Sequence, residues 1–234
     1  MQLVLTTELL IEAYKQGLFP MAYNAGSPFI HWVCPELRGQ LSIPRLHIRR
    51  SLKKVIKRGL IEGMPYHVTT DKAFEAVIGL CAESVESRPE TWINDPIRKA
   101  YINLHHDGFA HSVEIWREGS EGNELVGGLY GIAIGGAFFG ESMFSRATDA
   151  SKIALVHLCA RLHKGGFTLL DTQFVNDHLQ QFGVYELPHR EYMKDLREAV
   201  KQEADFKLAD ITEANLLKAY PAYSAAASES RSSA

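Results

Sequence analysis

Apolar positions along the chain fall into blocks whose spacing changes between helical and alternating. The stretch TTELLIEAYKQG from Thr6 predicts a short helix, with Thr7 as its cap and Gly17 as its stop. LFPMAYNAGSPFIHWVCPE mixes aromatics with turn residues and predicts a loop. In RLHIRRSLKKVIKR, Ile48, Leu52, Val55 and Ile56 stand at i, i+4, i+7 and i+8, the buried stripe of an amphipathic helix. DKAFEAVIGLCAES predicts a second such helix, and DPIRKAYINLHHDG a third, opened by an Asp-Pro cap and ended at Gly108. HSVEIWRE then alternates as a strand does, GSEGN turns, and ELVGGLYGIAIGG and AFFGESMFS continue as strands. Ser151 to His163 is a strongly apolar helix stopped at Gly165-Gly166, and FTLLDTQF is a further strand.

An antiparallel meander, a helix and a returning strand make an α+β layout, and that order resembles the core of the GNAT acyltransferases. The expected organisation is a small N-terminal domain over residues 1–36, a catalytic domain over 37–218 that includes the basic helix 46–58, and a disordered tail over 219–234, where the chain ends AAASESRSSA. At 234 residues the chain can bury a substantial core. No apolar run reaches the ~18–20 residues needed to span a bilayer. The N-terminus lacks a basic region and meets Glu8 and Glu12 early, so no signal peptide is expected. Cys34, Cys81 and Cys159 are far apart, odd in number and without metal-type spacing, which fits buried thiols in a reducing cytoplasm.

A net charge of −3 argues against a nucleic-acid partner until its distribution is considered. From Arg45 to Arg58 there is no acid, and Arg49, Arg50, Lys53, Lys54, Lys57 and Arg58 cover the helix surface outside the apolar stripe. Such a local basic face can hold a phosphate backbone.

Three segments place polar groups where a core strand should be apolar. In Gly140-Glu141-Ser142-Met143-Phe144-Ser145-Arg146, spacing alone favours an exposed Glu141 over one turned into a pocket. In Leu169-Leu170-Asp171-Thr172-Gln173-Phe174, Asp171 and Gln173 share one strand face. They form either an amide oriented by a carboxylate or a polar strand end, and spacing does not choose. Asn176-Asp177-His178 reads as a helix cap rather than a base.

Taken in order, AYKQGLFP, LHIRRSLKK, TWI, AHSVEIW, LVGGLYG, FGESMFSR, ASK and LLDTQFVNDHLQQFG resemble the leucyl/phenylalanyl-tRNA–protein transferase family, from roughly Leu9 to Lys194. The resemblance implies a cytoplasmic enzyme with no metal or other cofactor and no membrane partner, usually monomeric. It would transfer Leu or Phe, less readily Met, from aminoacyl-tRNA to proteins beginning with Arg or Lys, making a degradation signal. It implies a GNAT-like domain beside a smaller N-terminal one. It puts the catalytic pair on Asp171 and Gln173 and the pocket glutamate on Glu141. The amino-acid pocket then falls on Leu129, Phe138, Met143, Leu155 and Leu170, and the contacts near the terminal adenosine on Tyr14, Trp92 and Tyr101. The tRNA-binding cluster falls on Arg50, Lys54, Lys57 and Arg58. Burying a Leu or Phe side chain in such a pocket contributes about 1.5–3 kcal/mol.

The chain also departs from the family. Met21 stands where a Trp commonly follows Phe-Pro, and a thioether does not stack on adenine as a ring does. The common Trp-Trp-Ser-Pro-Asp-Pro-Arg run reads Trp32-Val33-Cys34-Pro35-Glu36-Leu37-Arg38, and Thr172 replaces Cys in Asp-Cys-Gln, so that position is no nucleophile. On the mechanism expected from both readings, Asp171 orients the Gln173 side chain, whose carbonyl accepts from the attacking amine. Two rivals remain open at this stage. A CoA-dependent N-acetyltransferase needs a Gly-rich phosphate turn, whereas this chain has SRATDASK, without glycine and with an acid. A non-catalytic RNA-binding module would leave Asp171, Gln173 and the apolar pocket unexplained.

Overall fold

The computed structural model describes residues 4–84, 90–120 and 122–224. Helix α1 (Thr7–Lys15) is capped by Thr6, whose hydroxyl accepts from the Leu9 N–H, one residue earlier than expected. Strands β1 (Phe19–Ala22) and β2 (Ile30–Val33) pair as an antiparallel hairpin where the sequence suggested a loop. Four-residue strands without clean alternation leave no periodic signal to read. Strand β3 (Leu37–Leu41) leads through a 3-10 turn at Ile43–Arg45 to α2 (Arg50–Arg58), the basic helix. That helix begins later than expected: Ile48 is buried but precedes it, and Leu52 and Ile56 carry its buried stripe. Gly59, with φ +62°, ends it in the left-handed conformation that glycine adopts without penalty.

Beyond it lie β4 (Leu60–Ile61), β5 (Met64–Thr70), α3 (Phe74–Ala82) and α4 (Asp95–His106). The cap of α4 is Asn94, whose side chain accepts from the Ile97 N–H, with Asp95 and Pro96 in the first turn. The meander is β6 (Ala110–Gly119), β7 (Gly122–Ile134) and β8 (Ala137–Ser145), followed by α5 (Ala150–Lys164) and the returning β9 (Leu169–Gln173). The chain closes with α6 (Asp177–Gln180), β10 (Tyr185–Pro188), α7 (His189–Ala199), α8 (Glu213–Ala219) and α9 (Pro221–Ser224).

One sheet of eight strands, ordered β10-β3-β9-β8-β7-β6-β5-β4, organises the α+β fold. Alternation along its strands divides two cores. Leu129, Phe138 and Leu170 point to the face covered by α2, α5 and α8. Their neighbours Tyr130, Phe139 and Leu169 point to the face covered by α1, α3, α4 and α7. The returning strand β9 lies inside the sheet, because β3, which carries no distinctive period, closes on its far side.

Among the described residues every strand pairing is antiparallel except that of β8 with β9. That parallel pairing covers only Ala137↔Leu169, Phe138↔Leu170 and Phe139↔Asp171. Beyond it β8 runs on to Ser145 and β9 to Gln173 with no further ladder pairing between them, and the gap opens a cleft.

The expected disorder from residue 219 is corrected for its first part. Tyr220 is fully buried, its hydroxyl donates to the Ile43 carbonyl, and Pro221–Ser224 is helical. Residues 225–234 lie outside the described residues. Among the described residues no helix is long and apolar enough to cross a membrane.

Candidate active site

Where β8 and β9 part, a cavity of about 340 Å³ opens between the sheet, the middle of α5 and strand β1. That volume lies within the ~300–1,000 Å³ typical of small-ligand sites. Leu129, Met143, Leu155 and Leu170 line it, joined by Leu158 and Leu179, so its wall is apolar as expected. Phe138 is not among the lining residues. It turns away from the cavity and packs against Phe167 and Phe206, its ring stacked on Phe206 at 5.6 Å. Trp92 and Met21 line the mouth with Phe19 and Phe174, whose rings meet edge-to-face at 5.8 Å.

Polar residues join this apolar wall, among them Glu141, Gln173 and His178. Glu141 faces the cavity and not, as spacing favoured, open solvent. A bulge in the β7–β8 register between Tyr130 and Gly131 shifts the alternation, a feature that periodicity does not reveal. The Tyr14 hydroxyl donates to its Oε1 at 2.7 Å, and that of Tyr101 to its Oε2 at 3.2 Å. Tyr14 and Tyr101, bonded to each other as well and fully buried, sit behind the glutamate and not at the cavity surface. Burial pushes the Glu141 carboxyl up to about 8, outweighing the lowering by the two phenols.

Gln173 ends β9 with φ +56°, left-handed backbone that costs a non-glycine residue about 1–2 kcal/mol. Two contacts impose it. The Phe174 N–H closes a tight turn onto the Thr172 carbonyl at 2.6 Å, and the Gln173 N–H donates to Asp171 Oδ1 at 2.8 Å. Gly39 of β3 leaves room for this turn, since a Cβ there would lie 2.8 Å from the Phe174 carbonyl carbon. The Gln173 side chain reaches toward Glu141, Nε2 to Oε1 3.5 Å, a long and weak donor contact.

Asp171 therefore orients Gln173 through its backbone, not through its side-chain amide as expected. It is fully buried and does not line the cavity. Arg38 Nε lies 3.0 Å from both carboxylate oxygens, Arg38 Nη2 2.7 Å from Oδ2, and the Tyr192 hydroxyl donates to Oδ2 at 2.6 Å. Neither partner was singled out in the sequence. Arg38 had a signal, standing at the end of the run Trp32 to Arg38, whereas Tyr192 is one tyrosine on an amphipathic helix and gave none.

The Asn176 side chain accepts from the Leu179 N–H, so Asn176-Asp177-His178 does cap α6. Even so, His178 lines the cavity, and burial, with Lys152 nearby, lowers its pKa. Lys152 leads outward to a small surface pocket shared by His47, Arg49 and Asp149, and so to the basic helix. Arg50, Lys54, Lys57 and Arg58 are all exposed there, with no acid in the first turn of α2. In the SRATDASK turn, Asp149 is the N-cap residue of α5 but makes no side-chain capping bond, and it pairs with Lys152 at 2.7 Å. A carboxylate at the head of α5 is opposed to a CoA pyrophosphate at that place. Among the described residues no three His, Cys, Asp or Glu gather as metal ligands.

Comparison with known proteins adds an independent finding. A family described as "Leucyl/phenylalanyl-tRNA protein transferase" matches residues 40–197, and that family's N-terminal domain matches residues 4–36. The chain is 49% identical over 202 residues to the leucyl/phenylalanyl-tRNA–protein transferase of Paramagnetospirillum magneticum, covering 86% of this chain and 92% of that one. It is 48% identical over 202 residues to the protein of the same name from Afipia carboxidovorans, covering 86% and 85%.

Proposed function

The chain belongs to the leucyl/phenylalanyl-tRNA–protein transferase family, and from that premise we propose that Gln173, Glu141 and Asp171 form the centre at which it works. The protein is an aminoacyl-tRNA–protein transferase. The observation that carries the site assignment is one side-chain amide, Gln173, held at the rim of an apolar cavity beside a pocket glutamate.

The cavity takes the leucyl or phenylalanyl side chain, with methionyl as a poorer donor. Leu129, Met143, Leu155 and Leu170 contact it, and Phe138 supports the wall from behind. Trp92 and Met21 at the mouth lie where the terminal adenosine would arrive, while Tyr14 and Tyr101 act by holding Glu141. The exposed Arg50, Lys54, Lys57 and Arg58 bind the tRNA backbone. Positive charge in the first turn of a helix is unfavourable by itself, and an arriving phosphate relieves it. The domain reading that accords with this is a small N-terminal unit forming one wall of the cavity and a GNAT-like unit forming the rest. Its support is the parallel β8–β9 pairing that stops partway and the cleft beyond it.

The donor ester is already activated, so the reaction is aminolysis. The acceptor's α-amine, with a pKa near 7.7–8.0 when unperturbed, is partly neutral at physiological pH. Its nitrogen attacks the ester carbonyl, the new peptide C–N bond forms, and the ester C–O bond breaks. The amine proton leaves to the ribose oxygen, which departs as a hydroxyl. Gln173 accepts a hydrogen bond from the attacking amine and directs it. A glutamine does not hold the proton. Positioning of this kind supplies up to ~7–11 kcal/mol of the barrier. The acceptors begin with Arg or Lys, whose cation would favour the ionised form of Glu141, and the product marks proteins for degradation in the cytoplasm.

The deciding measurement uses labelled Phe-tRNA and a peptide beginning with Arg. Label passes to that peptide and not to one beginning with Ala. In Gln173→Ala the single-turnover rate falls by about a hundredfold while tRNA affinity holds. Equal loss of affinity and rate would remove Gln173 from the chemistry.

A further inference from the structure

We infer that Arg38 and Tyr192 are positioning residues for the transfer reaction, acting through Asp171 on the backbone of Gln173. The inference rests on the reading of Gln173 as the group that meets the attacking amine.

Asp171 has no acceptor capacity left for a substrate. Its Oδ1 receives Arg38 Nε at 3.0 Å and the Gln173 N–H at 2.8 Å. Its Oδ2 receives Arg38 Nε at 3.0 Å, Arg38 Nη2 at 2.7 Å and the Tyr192 hydroxyl at 2.6 Å. Arg38, Asp171 and Tyr192 are all fully buried, and none lines the cavity. The carboxylate's one contact toward the site is the bond to the Gln173 N–H, and Gln173 needs that bond to stay left-handed at φ +56°. An extended Gln173 would swing its side chain out of the cavity, because left-handed and extended residues project their Cβ in different directions.

The guanidinium is fixed from two further sides. Arg38 Nη1 donates to the Gly17 carbonyl at 2.8 Å. Its carbon lies over the ring of Phe19 at 4.8 Å and over that of Tyr192 at 4.7 Å. Phe19 is itself a wall of the cavity. A single buried cation thus ties the N-terminal segment, strand β9 and helix α7 to one point, and that point sets where the Gln173 amide sits. A buried ion pair that served stability alone would need no bond to the backbone of a strained residue.

The test is a double-mutant cycle in the full chain, with tRNA binding and single-turnover transfer measured separately. Tyr192→Phe keeps the ring and removes one bond to Asp171. Its expected effect is a transfer rate lower by about tenfold, with KM for aminoacyl-tRNA within about twofold of wild type. In a Gln173→Ala background the same substitution should change the rate by less than about twofold, because no amide remains to be positioned. Arg38→Lys keeps the charge but loses the fork, and should also lower the rate at unchanged KM. If Arg38→Lys does not fold, the Tyr192 cycle decides alone. A full rate in Tyr192→Phe, a loss expressed in KM, or an equal loss in the Gln173→Ala background each overturns the inference. The underlying reading fails separately: a Gln173→Ala enzyme with full rate removes Gln173 from the chemistry whatever Tyr192→Phe does.

Discussion

Glu141 is where environment most changes the chemistry of a single residue. A glutamate in an unfolded chain titrates near 4.3, whereas burial raises this one to about 8 in the folded protein. Between those values the folded state binds a proton that the unfolded state has released. The contribution to stability is therefore fully present below the unfolded value and is lost as pH rises toward about 8. The melting temperature of the wild type should fall across that interval, and Glu141→Gln, which cannot titrate, should give a flatter curve. Parallel curves would place the titration elsewhere. Gln173 and Asp171 show the same dependence on surroundings: an amide held by left-handed backbone and a carboxylate saturated by Arg38 and Tyr192 have roles that their side chains alone do not confer.

At the scale of elements, the proposed function divides the work between the basic helix α2 and the β8–β9 pair. Leu52 and Ile56 anchor α2 to the core, and Arg50, Lys54, Lys57 and Arg58 lie exposed on its outer side. Each phosphate contact releases counterions on binding, so affinity falls with salt in proportion to the number of contacts. Lys54→Ala with Arg58→Ala should weaken tRNA binding and reduce the slope of log affinity against log salt by about two. An unchanged slope would make this face solvated surface only. The β8–β9 pair contributes a cleft because three residue pairs of parallel ladder are enough to fix the strands and too few to close the gap beyond Phe139.

Over the whole molecule, the sheet separates two cores and the C-terminal segment seals one of them. Arg161 of α5 binds the Phe206 and Lys207 carbonyls at 3.0 Å and pairs with Glu213, which also receives His157 Nδ1 at 2.7 Å. Tyr220 inserts its ring beside α5 and reaches back to the Ile43 carbonyl, 177 residues earlier in sequence. Tyr220→Ala should cost about 3–5 kcal/mol, the usual price of deleting a buried aromatic ring, read as a lowered midpoint in urea at unchanged slope. A loss below about 1 kcal/mol would return that segment to the tail that composition suggested.

Periodicity was enough to specify α3, α4, the meander, α5 and the returning strand, because burial of one face per element is a local property of the chain. Periodicity with charge distribution specified the acid-free basic helix, and motif resemblance specified the family and the apolar character of the pocket. Other features depended on contacts between distant segments. The β1–β2 hairpin and β3 are too short or too irregular to carry a period, and Tyr220 looks like tail until its partners at Ile43 and α5 are in place. The direction of Glu141 hung on a one-residue bulge, and Phe138 faces Phe206 and not the cavity. Arg38, Asp171, Gln173 and Tyr192 are scattered over 155 positions of sequence, and only tertiary packing brings them to one point. The sequence by itself determined the elements that carry a period, because burial of one face is local, and its motifs determined the family. Tertiary structure alone decided which side of a strand the chemistry faces and what holds it there, because those depend on the register and closure of the sheet.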